Sequence, residues 1–172
     1  ILFSILLGCS FQKSSVKDAE TSRIDSLLSF YRDSLAVRPL AVISKLRTDQ
    51  ENVSDSINYY NLDQTISRCY YFSNRVDSAF LLNDRILHFV EKQPEKEDRL
   101  LKLSADAYNS RGVFFQDMSQ WDSAIFCLHN ASEALSQAND FGRLPAINVY
   151  INMADCYQHQ GDYGWAGYHY RK

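Results

Sequence analysis

The chain has 172 residues, enough for one ordinary domain with a real core. Its apolar fraction of 45% and charged fraction of 23% are those of a soluble globular protein. With 18 basic and 21 acidic residues the net charge is -3, and no basic stripe offsets it, which argues against a general nucleic-acid binder. The 11 tyrosines and 10 phenylalanines accompany only 6 glycines and 3 prolines, a composition that suits long packed helices.

Ile1 to Leu7 are apolar apart from Ser4 and read as the tail of a secretory h-region. Seven residues are too few to span a bilayer, which takes about 20 in helix. The segment closes in Leu6-Leu7-Gly8-Cys9, which resembles the lipobox of bacterial lipoproteins. That resemblance implies cleavage before Cys9 and a lipid on its thiol, with multiple acyl chains giving firm anchoring. Residues 1–8 are then a signal-peptide remnant and 9–20 a short polar tether. Residues 21–172 are the folded domain, cut at its C-terminus and facing the periplasm. The alternative is a truncated helix or a plain signal peptide with a chance cysteine, and the alternative placement is cytoplasmic.

Beyond the tether, Ile24, Leu27, Leu28, Tyr31 and Leu35 recur at helical spacing. Arg38-Pro39 marks a break, with Pro39 placed for the first turn of a short helix through Leu46. Further helices are expected over Ile57–Phe72, Arg75–Val90, Leu100–Phe115, Trp121–Leu135 and Ala146–Gln158, with a last one from Tyr163. Gly161 suits a helix terminus that needs positive φ, and Asp162 suits an N-cap. No stretch reads as a strand set. The expected class is all-α, with about seven to eight helices.

A pattern recurs three times along these helices. A small residue in one helix is followed twelve positions later by an alanine in the next: Ser67/Ala79, Gly112/Ala124 and Ala154/Ala166. An aromatic stands three residues after each small one, at Tyr70, Phe115 and Tyr157. Small residues belong where two helices of a hairpin cross closely, and aromatics fill the wider gaps between hairpins. A single hairpin cannot bury its apolar face alone, so neighbours must stack. A weaker first copy pairs Ser29 with Ala41, with Arg32 at its aromatic position. Asp63 and Asn83 stand where large apolar groups belong.

Residues 147–170 resemble a tetratricopeptide repeat, with Tyr150, Met153, Ala154, Tyr157, Ala166 and Tyr170 at the motif positions. The preceding copy carries Tyr108, Gly112, Phe115, Trp121, Ala124, Leu128 and Ala131, and departs from the motif at Arg111. Ala41, Ala79, Ala124 and Ala166 lie 38, 45 and 42 residues apart, more than the usual repeat of about 34; extra helical turns would explain this. The resemblance implies a right-handed α-hairpin solenoid whose first helices line a concave binding face. It implies groove positions at Asn109, Val113 and Gln116 in the third copy, and at Asn148, Asp155 and Gln158 in the fourth. Amides there suit an extended peptide backbone, and equally a plain solvated face. No basic pair for a terminal carboxylate stands out.

Catalytic chemistry is not visible. The histidines (His88, His129, His159, His169) form no local ligand pair, and no metal or cofactor is expected. There is no Gly-rich phosphate loop, G-x-S-x-G or C-x-x-C. Asp77 and Asp122 belong near second-helix N-termini, where the dipole favours them. Cys127 and Cys156 are placed to approach between repeats; an exported chain permits a disulfide, while small buried thiols are the default. The phrases Tyr108–Phe115 and Ile151–Tyr157 resemble the extracytoplasmic sensor half of tetratricopeptide-repeat regulators from Bacteroidetes-type bacteria. The expected function is therefore protein or peptide binding within an envelope signalling protein, with a lipid-anchored structural adaptor as the alternative. No enzyme is expected.

Overall fold

The computed structural model describes the backbone of residues 2–139 and 143–172, and the side chains of residues 17–139 and 145–172. Cys9 and its expected lipid lie outside the described side chains. Eight α-helices follow one another among the described residues: α1 (Leu2–Tyr31), α2 (Pro39–Gln50), α3 (Ser56–Phe72), α4 (Val76–Glu91), α5 (Asp98–Asp117), α6 (Trp121–Ser136), α7 (Arg143–His159) and α8 (Tyr163–His169). A 3-10 turn, Arg32–Ser34, links α1 to the approach of α2. No strand occurs among the described residues.

Local chemistry sets the helix ends. Pro39 opens α2 at its first position, where its missing N–H would be unsatisfied anyway. Asp55 caps α3 by accepting from the Asn58 N–H at 3.0 Å, and Asp162 caps α8 by accepting from the Trp165 N–H at 3.1 Å. Asp77 and Asp122 lie in the first turns of α4 and α6.

Three hairpins share one turn. The chain turns from α3 to α4 through Asn74 (φ 59°), from α5 to α6 through Ser119 (φ 57°), and from α7 to α8 through Gly161 (φ 81°). In each, the next N–H reaches back to the carbonyl of the repeat's aromatic: Arg75 to Tyr70 at 2.9 Å, Gln120 to Phe115 at 2.8 Å, Asp162 to Tyr157 at 2.9 Å. This is the six-to-one bond of a Schellman C-cap, which needs a left-handed residue at the turn.

The hairpin crossings are tight where the residues are small. Ser67, Ala79, Gly112, Ala124, Ala154 and Ala166 are all buried. The Ser67 hydroxyl donates to the Ala79 carbonyl at 2.8 Å. A Cβ on Gly112 would stand 2.7 Å from Leu128 Cγ and 3.4 Å from the Ala124 carbonyl oxygen.

Each hairpin then stacks on the next through aromatics and amides. The Tyr71 and Phe114 rings stack at 4.0 Å and 7° between α3 and α5. The Trp121 and His159 rings stack at 4.5 Å and 2° between α6 and the end of α7. Three apolar clusters run along the array. One is built on Ile24, Leu46, Leu62 and Ile66, one on Ile86, Leu100 and Leu103, and one on Leu128, Val149 and Met153.

The N-terminal end departs from the hairpin pattern. Ser29 and Ala41 are both exposed, so they form no crossing. α1 packs on α3 instead, and the last residues of the expected tether hold it there. Glu20 accepts from the Ser54 hydroxyl at 2.6 Å, the Ser54 N–H at 3.0 Å, the Asp55 N–H at 3.0 Å and the Asn58 amide at 3.1 Å. Lys17 pairs with Asp55 at 2.9 Å.

The two polar residues at apolar positions are fully buried. Asp63 ties α2 to α4 through α3, pairing with Arg47 at 2.9 Å and Arg85 at 3.1 Å and accepting from Gln50 at 2.9 Å. Asn83 has no side-chain partner among the described residues. Cys69, Cys127 and Cys156 are buried free thiols, so Cys127 and Cys156 do not pair.

Candidate functional site

Successive first helices pack on one another, α1 on α3, α3 on α5 and α5 on α7. The second helices instead pack between first helices, α4 on α3 and α5, and α6 on α5 and α7. The first helices therefore form one side of the array and the second helices the other.

The first-helix side holds a recess of about 370 Å³ lined by α1, the 3-10 turn, α3 and α5. Arg32, Arg68 and Lys102 stand on its wall, exposed and in no ion pair among the described residues. Elsewhere Arg23, Arg47, Arg85, Arg99 and Arg111 hold carboxylates, while the exposed Arg38, Arg75 and Arg171 hold none among the described residues. Gln64, buried, lies at the base. Its amide nitrogen donates to the Asp106 carbonyl at 2.8 Å and to the Ser110 hydroxyl at 2.7 Å. Its amide oxygen has no partner. Two acids, Asp25 and Asp106, share the lining; burial pushes the Asp106 carboxyl up from the usual carboxylate range, against the pull of Lys102 and Arg68.

Of the six groove positions, Asn109 alone lines this recess, and its side-chain oxygen accepts from the Asn152 amide at 3.0 Å. Gln116 donates to the Asn152 carbonyl at 2.9 Å. These two amides therefore join α5 to α7. Asp155 and Gln158 both meet the Tyr170 hydroxyl, which ties α7 to the residue after α8. Val113 is partly buried and Asn148 is exposed. Four of the six expected groove residues, Asn109, Gln116, Asp155 and Gln158, thus take part in ties between elements.

No protein-family model matches this chain, and no curated protein matches it.

Arg68, Lys102 and Asp106 were not among the sequence candidates, because the recess is assembled from helices far apart in the chain. One signal was present: Arg32 interrupts the aromatic position of the weak first copy, and it lines the recess.

A second hollow, about 540 Å³, opens on the second-helix side between α4 and α6, over α5. Arg111 lines it, pairing with Asp84 and lying 5.3 Å from the centre of the Phe80 ring, both on α4. No group of His, Cys, Asp and Glu among the described residues is arranged to hold a metal ion, and no described helix is long and apolar enough to cross a membrane.

Proposed function

We propose that this chain is a tetratricopeptide-type scaffold that binds a peptide or an extended protein segment on the face of its first helices. In this reading it is the ligand-binding part of an envelope signalling or transcription-regulatory protein, held at the membrane by a lipid on Cys9. The observation that carries the binding role is the α1–α3–α5 recess. It places three cations that make no ion pair among the described residues, and a buried, half-satisfied amide, on the first-helix side of the array. Such arrays use their concave surface for extended ligands.

Photo-crosslinking tests the site. A cross-linking residue at Asn61, in the recess wall, should capture peptides selected from a random display library. The same residue at Phe126, exposed on the second-helix side, should not. Capture at Phe126 with none at Asn61 would move the ligand to the other face. For the anchor, incorporation of labelled fatty acid should disappear in Cys9→Ala.

A further inference from the structure

We infer that the α1–α3–α5 recess takes a small zwitterionic group, an ammonium and a carboxylate held a few bonds apart, as in a free amino acid or the ends of a short peptide. This rests on the concave-face reading above and gives its ligand a chemistry.

The recess leaves both kinds of polar group unmet. On the acceptor side, the Gln64 amide oxygen is buried and has no partner. The Asp106 carboxylate beside it receives no hydrogen bond among the described residues. A buried acceptor left without a donor is costly, and native structures rarely keep one. On the donor side, Arg32, Arg68 and Lys102 line the same recess and make no ion pair among the described residues, although Asp25 and Asp106 share the lining and Asp106 feels the charge of Lys102 and Arg68. An anion alone would meet the three cations and be set against the carboxylates of Asp25 and Asp106 and the Gln64 oxygen. A cation alone would meet the acceptors and be repelled by the cations. A ligand with an ammonium at one end and a carboxylate at the other answers both sets.

Size agrees with this choice. The volume of about 370 Å³ lies at the small end of the range for small-molecule sites. It admits an amino acid or a dipeptide and excludes a folded partner. Guanidinium and ammonium groups make charge-assisted bonds to carboxylate, stronger than neutral ones, so the charged ends carry the recognition and the side chain of the ligand is secondary.

Calorimetric titration of the intact chain tests this with four probes: L-alanine, L-alanyl-L-alanine, N-acetyl-L-alanyl-L-alanine and L-alanyl-L-alanine amide. The dipeptide or the free amino acid should bind saturably, and which of them binds more tightly distinguishes the two sources. Capping either end of the dipeptide should weaken binding about tenfold or more. Arg68→Gln and Lys102→Gln, both at exposed positions, should weaken the parent probe by a similar factor and leave the C-terminal amide unchanged. Asp106→Asn should weaken the parent and leave the N-acetyl probe unchanged. Equal binding of capped and uncapped probes overturns the inference, as does the absence of saturable heat at millimolar zwitterion. If peptides still cross-link at Asn61 in that case, the concave face remains the binding face and only the zwitterion chemistry falls. If neither occurs, both readings fall.

Discussion

The Ser67 hydroxyl donates to the Ala79 carbonyl at 2.8 Å across the crossing of α3 and α4, where both residues are fully buried. The small residue here fills the gap and also joins the two helices. Ser67→Ala keeps the size and loses the bond, so it should cost about 1 kcal/mol. Ser67→Leu should cost more, because it forces α3 from α4 as well. Urea denaturation of the two variants would check the order.

The equivalent crossing of α5 and α6 has no such bond, and it leaves no room for a Cβ at Gly112. A methyl on Gly112 would fall 2.7 Å and 2.8 Å from two carbons of the Leu128 side chain, which is itself fully buried. Gly112→Ala gains helix propensity, yet the overpacking should prevail, with a net loss of about 1–2 kcal/mol. Thermal melts would show it as a lowered midpoint.

The three hairpin turns differ in how well their residue suits a positive φ. Ser119 and Asn74 hold φ values of 57° and 59°, and Gly161 holds 81°. Ser119→Gly should therefore stabilise the protein by a few tenths of a kcal/mol or more, and Asn74→Gly by less, since asparagine tolerates this region. Gly161→Ala should destabilise by about 1 kcal/mol. A reversed order in chemical denaturation would contradict the shared C-cap.

Asp63 is the strongest polar commitment in the core. It is fully buried between Arg47 and Arg85. Asp63→Ala removes the shared acceptor of Arg47, Arg85 and Gln50; because both guanidinium groups stay part-exposed, it should cost about 1.5–3 kcal/mol. The measurement is the urea midpoint, with Asp63→Asn expected to lie between the variant and the parent.

Acid should loosen the hold of α1. Burial alone would raise the Glu20 pKa, but bonds from the Ser54 hydroxyl, the Asn58 amide and the N–H groups of Ser54 and Asp55 outweigh it and bring it to about 2. A folded pKa below the unfolded value of 4.5 means that the stabilisation is fully present above 4.5. It is lost as pH falls from there through about 2. The stability advantage of the parent over Glu20→Gln should shrink across that window and stay level above it.

Helix positions were legible because apolar spacing and punctuation agree. Pro39, Asp162 and Gly161 stand where helices begin or turn. The hairpin register was legible from the small residues, since close crossings admit little else. The left-handed turns at Asn74 and Ser119 were not, because neither residue is glycine and the backbone conformation is set by the helices on either side. Nor was the docking of α1. It depends on Glu20 meeting the start of α3 more than thirty residues later, which leaves no local pattern. Asp63 and Asn83 broke the apolar pattern visibly, but their partners lie on other helices. The recess was hidden for the same reason: each of its cations, alone, looks like an ordinary surface residue.

Amide chemical-shift mapping of the isotope-labelled chain, titrated with a peptide selected against it, tests the binding face most directly. The account predicts saturable shifts confined to the recess-facing residues of α1, α3 and α5, with Gln64, Arg68 and Asp106 among the largest. Shifts confined to α4 and α6 around Arg111 and Phe126 would contradict it and place the ligand on the second-helix side of the array.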